Sequence, residues 1–285
     1  MMAEKISFRK LTLIVFVSVI AAALTLGAFA YEGDWPADIR GIEDEDYGGY
    51  TVILHSNDVH GAIEGYAKIA WLRGRFEEMG AEVLLFDAGD FAQGSSEVNI
   101  DKGKDAVDLM NNVCYDLAAV GNHEFDYGAD RMLEIAGLLD FPVICANLIE
   151  GEEPVFPASE MFETASGVKI GVFGLLTPET LTKAGNSRLG SYTFLDGEEM
   201  YACAQEQVDS LIAADADIVI ALTHLGVNGE SLSDGRGSLN VYENPSGIDL
   251  IIDGHSHTVM TSGEGGEPIQ STGTKFEYIG VIVIS

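Results

Sequence analysis

The chain has 285 residues, 47% of them hydrophobic and 21% charged, a balance that supports a folded domain with a sizeable core and excludes a disordered or low-complexity chain. Fifteen Lys and Arg stand against 46 Asp and Glu, for a formal net charge of -31. That charge repels polyanions and leaves no basic stripe to release counterions, which argues against a nucleic-acid-binding module. Small anionic substrates stay open to it, because a local cation site outweighs distant, salt-screened carboxylates.

Lys5, Arg9 and Lys10 precede an uncharged, mostly apolar run over 11–29 that closes on Ala28-Phe29-Ala30, the pattern of an export signal over 1–30. The run approaches the length of a membrane span, so an uncleaved anchor is the competing expectation, and only then would a membrane be a partner. Either way the remainder is expected outside the cytoplasm: extracellular, periplasmic or on the cell surface. Residues 31–49 are acidic and broken by Gly and Pro, as in a linker. One domain is expected over 50–285. Within it, short apolar, β-branched runs at 50–54, 83–86, 117–120, 143–146, 170–175, 218–222, 250–252 and 276–284 read as strands. Helical-period stretches at 66–79, 128–139 and 198–213 separate several of them. This alternation predicts an α/β core rather than a sandwich of hairpins. Cys114, Cys145 and Cys203 are scattered, without CxxC spacing, and are expected to be buried small hydrophobes rather than a disulfide framework.

Polar segments follow the predicted strands: Asn57-Asp58-Val59-His60-Gly61, Asp87-Ala88-Gly89-Asp90, Gly121-Asn122-His123-Glu124, Thr223-His224 and Asp253-Gly254-His255-Ser256-His257. In α/β folds the loops at the carboxyl ends of strands gather on one sheet edge, so these segments are expected to form one site. Asp58, His60, Asp90, Asn122, His224, His255 and His257 offer oxygen and imidazole nitrogen without a thiolate, a set suited to Zn, Mn, Fe or Co. Seven donors exceed what one ion with an open position needs, so two ions are expected, with Asp90 as the bridging carboxylate. Asp58 and His60 are two apart and would point the same way on an extended strand end; His255 and His257 share that spacing, with Gly254 allowing a tight turn.

The segments ILHSNDVHG (53–61), DAGD (87–90), GNHEFDYG (121–128), THLG (223–226) and DGHSH (253–257) together resemble the successive motifs of the calcineurin-like metallophosphoesterases, the 5'-nucleotidase branch in particular. The resemblance implies a four-layer α/β/β/α sandwich. It also implies one divalent ion on Asp58, His60, Asp90 and His257 and a second on Asp90, Asn122, His224 and His255, with Zn or Mn as the expected metals. By the same pattern His123 faces the phosphate and Asp126, three residues on, hydrogen-bonds His123 and favours its protonated form. The implied reaction is in-line attack of a metal-bridging hydroxide on phosphorus, in an exported enzyme hydrolysing small nucleotides or phosphate esters. Neighbouring possibilities are a 2',3'-cyclic nucleotide phosphodiesterase with 3'-nucleotidase activity and a nucleotide-sugar hydrolase; the rival from another class is a non-catalytic metal-binding surface module. Full-length 5'-nucleotidases carry a carboxyl-terminal base-binding domain, and this chain ends on a predicted strand before one, so the resemblance covers the catalytic half.

Remaining polar residues carry plainer expectations. His55 lies inside the first strand and reads as structural; Glu124 reads as a support residue; Asp87 and Asp253 could orient ligands or serve turns. Gly263-Glu264-Gly265-Gly266 lacks the Lys-Ser/Thr of a phosphate loop and reads as a turn.

Overall fold

The computed structural model describes residues 11–13, 17–18 and 46–285. The expected export segment and linker therefore lie largely outside the described residues. In chain order the elements are β1 (Leu11–Leu13), β2 (Val17–Ser18), β3 (Thr51–Ser56), α1 (Gly65–Glu78), β4 (Glu82–Asp87), α2 (Ser96–Ile100), α3 (Lys104–Val113), β5 (Leu117–Ala119), α4 (Ala129–Ala136) and β6 (Val143–Ile144). There follow β7 (Leu148–Glu150), β8 (Glu153–Pro154), β9 (Ser159–Glu163), β10 (Lys169–Leu176), α5 (Asn186–Leu189), β11 (Thr193–Phe194) and α6 (Glu198–Ala213). The chain closes with β12 (Ile218–His224), α7 (Gly229–Ser233), α8 (Ser238–Glu243), β13 (Leu250–Asp253), β14 (Val259–Met260), β15 (Ile269–Thr272) and β16 (Tyr278–Ile284).

Two sheets form the core. The first runs β1-β16-β3-β4-β5-β6, with β2 also on β16, and the second runs β14-β15-β13-β12-β10-β9. Strands β3, β4, β5 and β6 are parallel, as are β10, β12, β13 and β15. The closing strand β16 lies antiparallel to β3, pairing Ile282 with Ile53. Strands buried on both faces read as continuous apolar runs, and the alternation of side chains sorts them into layers. Val52, Leu54, Val83 and Leu85 join Ile69, Leu72, Phe76 and Met110 of the helices on one outer face. Ile53, Phe86 and Ile282 instead meet Ile170, Val172, Ile220 and Ile252 of the second sheet. On the far side Phe173, Val219, Ala221 and Ile251 pack against Met200, Ala204, Val208 and Leu211 of α6. The result is the α/β/β/α sandwich.

The predicted strands and helices recur with ends shifted by up to three residues. Among the elements the sequence did not point to are helix α3, the edge strand β9 and strand β15. In α3 only Ala106, Val107, Met110 and Val113 are buried, a narrow stripe in a polar segment; β9 is half-buried along most of its length and contains no long apolar run. Cys145 and Cys203 are buried, whereas Cys114 is exposed. Cys114 caps α3 in a left-handed conformation at φ 62, which turns it out of the apolar stripe that precedes it. Among the described residues no helix is long and apolar enough to cross a membrane.

Candidate metal centre

Parallel strands β3, β4, β5, β12 and β13 all end on the same edge, and the polar segments follow from those ends. Asp58 and His60 lie beyond β3 and both adopt left-handed backbone, φ 49 and 44. Their side chains thus converge through a turn, not through the extended strand end the two-residue spacing suggested. Asp90, His255 and His257 share that conformation, at φ 63, 75 and 52. Gly254 has a packing reason to lack a side chain: a Cβ there would lie 2.7 Å from His224 Nδ1 and 3.0 Å from both Ala88 O and Asp58 Oδ2.

Backbone hydrogen bonds lock the loops to one another. Asp58 N donates to Gly89 O at 2.9 Å and His60 N to Asp90 O at 3.0 Å. Glu124 is buried, and its carboxylate accepts from Asp90 N, Phe91 N, Ala92 N and Gly121 N at 2.7–3.0 Å. His255 N donates to Asp58 Oδ2 at 3.0 Å, and His123 N to Asp90 Oδ1 at 2.8 Å.

Within this frame the donor atoms point inward. His224 Nε2 lies 3.1 Å from Asp90 Oδ2, and its Nδ1 donates to Ala88 O at 2.6 Å. His257 Nε2 is 3.3 Å from Asp58 Oδ1 and 3.0 Å from His60 Nε2. His60 Nε2 lies 3.7 Å from both Asp58 Oδ1 and Asp90 Oδ2. His255 Nδ1 faces Asn122 Oδ1 at 2.8 Å. Asp58, His60, Asp90, His224 and His257 thus come together, and the Asn122–His255 pair lies beside them, with the His255 ring centroid 5.3 Å from that of His224.

The donor set fits divalent cations on its own chemistry. His224 Nε2 is fully buried and makes no hydrogen bond of ordinary geometry although it stands 3.1 Å from one carboxylate and 3.9 Å from a second, a place where positive charge is favoured. Two imidazole lone pairs cannot face each other at 3.0 Å, as His60 and His257 do, without a proton or a cation between them. The sets Asp58–His60–His257 and Asp58–Asp90–His224 each bring their ligating atoms within 4.8 Å of one another. Without a cation the carboxylates dominate the electrostatics. Burial would lower the His224 pKa, but the charge and close approach of Asp90, with the charge of Asp58, push it up to about 10. Burial opposes ionisation of Asp90 in turn, and the surrounding histidines override it and hold the carboxyl below its usual range. His60 goes the other way, burial lowering its pKa despite Asp90 and Asp58.

Beside the cluster, His123 Nδ1 meets Asp126 Oδ2 at 2.7 Å. Burial would lower the His123 pKa, yet Asp90 and the Asp126 hydrogen bond raise it. Two residues outside the sequence expectations complete this corner: Gln93 Nε2 donates to Asp126 Oδ2 at 3.1 Å and Arg188 Nη1 to Asp126 Oδ1 at 3.2 Å. A third is Glu179, buried in the segment after β10, whose Oε2 lies 3.2 Å from His255 Nε2. His55 is buried away from the cluster and bonds Gln270 Oε1 through Nε2 at 3.0 Å. Asp253 accepts from Thr223 Oγ1 and Leu225 N, and Asp87 from Ser56 Oγ and Gly89 N, so each buttresses a loop without touching the donor cluster.

Acids and imidazoles gathered at the strand ends of an α/β/β/α sandwich define the metallophosphatase class of protein. The chain belongs to the calcineurin-like phosphoesterase family, whose model matches residues 51–259. It is similar to a 5'-nucleotidase of Diplobatis ommata, 34% identical over 234 residues, covering 74% of this chain and 38% of that protein. Among solved structures it resembles a 5'-nucleotidase precursor from Thermus thermophilus, with a TM-score of 0.70 and 26% identity over 83% of this chain and 51% of that one. It also resembles the calcineurin-like phosphoesterase YfkN from Bacillus subtilis, with a TM-score of 0.69 and 25% identity over 82% of this chain and 84% of that one. The chain spans about two fifths of the length of the curated relatives it matches.

Proposed function

We propose that this chain is the catalytic part of an exported, metal-dependent phosphoesterase that hydrolyses small nucleotides in the manner of a 5'-nucleotidase. One divalent cation, Zn or Mn, would rest on Asp58, His60, Asp90 and His257, and a second on Asp90, Asn122, His224 and His255. The observation that carries this reading is the fully buried His224 Nε2, which makes no hydrogen bond of ordinary geometry while standing 3.1 Å from Asp90 Oδ2 and 3.9 Å from Asp58 Oδ1. The relatives' names supply the nucleotide. When bound, the cations would supply Lewis acidity toward phosphoryl oxygens and lower the pKa of a coordinated water.

The chain's own residues do the rest. Asp90 would be shared by the two donor sets, and its carboxyl is held below its usual range by His224, with His123 and His60. Asp126 accepts the His123 Nδ1 proton, which orients the ring and favours its protonated form. The opposite nitrogen then carries a proton for a phosphoryl or leaving-group oxygen. Gln93 and Arg188 hold Asp126 from two sides, so the dyad keeps one geometry.

Hydrolysis of AMP and p-nitrophenyl phosphate, with Mn or Zn added, tests the reading. Phosphate release is expected from both substrates and is expected to be lost in Asp90→Asn. Turnover no greater than that of Asp90→Asn would end the proposal. A panel adding 2',3'-cyclic AMP, 3'-AMP and a nucleotide-sugar pyrophosphate ranks the substrates.

A further inference from the structure

Three of the four inward-facing histidines, His60, His224 and His257, present Nε2 to the carboxylates. His255 alone presents Nδ1, at 2.8 Å from Asn122 Oδ1, and turns Nε2 away from the cluster. An imidazole that offers a lone pair at Nδ1 must carry its proton at Nε2, and a proton so placed needs an acceptor when the ring is largely enclosed. Glu179 is that acceptor, with Oε2 at 3.2 Å from Nε2. Its other oxygen is fixed as well: Ser231 Oγ donates to Oε1 at 2.8 Å. Ser231 is fully buried, and its own N–H is capped by Asn228 Oδ1 at 3.0 Å. Lys183 Nζ stands 3.7 Å from Oε2. Three segments that share no motif, 177–183, 228–231 and 255, thus meet on one carboxylate. His224 has a comparable outer partner in Ala88 O, but there the backbone serves.

We propose that Glu179 is a positioning residue that fixes the tautomer and ring plane of His255, so that Nδ1 is available to the cation shared with Asn122 and His224. The proposal rests on the two-cation reading above and deepens it. Glu179 touches neither substrate nor the reacting atoms. Its loss removes the acceptor on Nε2, frees the ring to rotate and lets the proton settle on the inward nitrogen. An outer-sphere partner of this kind changes metal affinity by about 10–100-fold.

The test is Mn(II) binding by the whole chain, followed by calorimetry and by the electron paramagnetic resonance signal of coupled against isolated Mn(II). Wild type is expected to take up two ions and give the coupled signal. Glu179→Ala is expected to bind one ion as wild type does and the other about 10–100-fold more weakly, so that an isolated signal persists at a concentration that fills both sites in wild type. Glu179→Gln keeps an oxygen that accepts from Nε2 and is expected to recover most of the lost affinity. Thermal midpoints in EDTA report whether each variant folds. Should Glu179→Ala fail to fold, Ser231→Ala takes its place and is expected to weaken the same single ion. Wild-type affinity at both sites in the variant, equal weakening of both sites, or a Glu179→Gln as weak as Glu179→Ala would each overturn the proposal. If wild type itself takes up no second ion, the two-cation reading falls first and this inference falls with it.

Discussion

His55 ties acid stability to the interface between the two sheets. Its ring lies over Gly280, where a Cβ would come within 1.9 Å of Nε2, and it reaches across to Gln270 on the second sheet at 3.0 Å. Nδ1 is buried without a partner, so the folded protein has no place for a second proton. Burial accordingly lowers the His55 pKa from 6.5 to about 4, against a smaller raising effect of the Gln270 hydrogen bond. The unfolded chain takes up this proton near pH 6.5 and the folded chain only near pH 4. The neutral side chain's contribution is therefore complete above pH 6.5, falls as pH drops through that value, and is gone below about pH 4. At 1.36 kcal/mol for each tenfold change, the gap is worth about 3 kcal/mol. His55→Gln keeps a polar side chain facing Gln270 but cannot titrate. Urea unfolding in EDTA at pH 7, 6, 5 and 4 is expected to show wild type losing about 3 kcal/mol more than His55→Gln between pH 7 and 4. The many carboxylates titrate in both proteins and cancel in the difference. Parallel pH profiles for the two proteins would refute the assignment.

Asp126→Asn removes the carboxylate that orients and charges His123. Turnover is expected to fall about 10–100-fold, part of what a general acid contributes, with Mn(II) affinity unchanged by calorimetry. Gly254→Ala drives a methyl group toward His224 Nδ1, Ala88 O and Asp58 Oδ2. A destabilisation of about 1–3 kcal/mol is expected in urea, together with weaker Mn(II) binding. Chelation is expected to abolish phosphate release and to lower the thermal midpoint. One ion present at about a hundred times its dissociation constant contributes about 2.7 kcal/mol, or about 5–10 °C in a domain of this size.

Much of the candidate centre was legible because acids and histidines stand at the ends of particular strands. The apolar runs located those ends, and the acids and histidines after them identified the converging loops. Glu179 was not legible. It follows β10 in a Thr-Pro-Glu-Thr stretch with no histidine beside it and no metal-ligand spacing, and its role arises only where His255 turns its outer nitrogen toward it. Arg188 and Gln93 escaped for the same reason, since each acts on Asp126 from a segment of its own. The exposure of Cys114 was hidden by the apolar residues around it, because a single left-handed residue at the end of a helix leaves no periodic trace.

The left-handed candidate ligands pose an energetic question. Asp58, His60, Asp90, His255 and His257 all have positive φ, and such backbone costs non-glycine residues of order 1–3 kcal/mol each. Either bound cations or the protein must hold that strain. The hydrogen bonds favour the protein. Asp58 N is held by Gly89 O, His60 N by Asp90 O, Asp90 N by Glu124 and His255 N by Asp58, so each of these ligand loops is fastened to another loop of the centre rather than to what it binds. A centre preformed in this way loses little of its binding energy to the ordering of loops. Amide hydrogen exchange in EDTA checks the point. The N–H groups of Asp58, His60, Asp90 and His255 are expected to stay protected nearly as well as those of the flanking strands β3 and β4. Exchange at the rate of free peptide in EDTA, with protection restored by Mn(II), would mean instead that the cations assemble the loops.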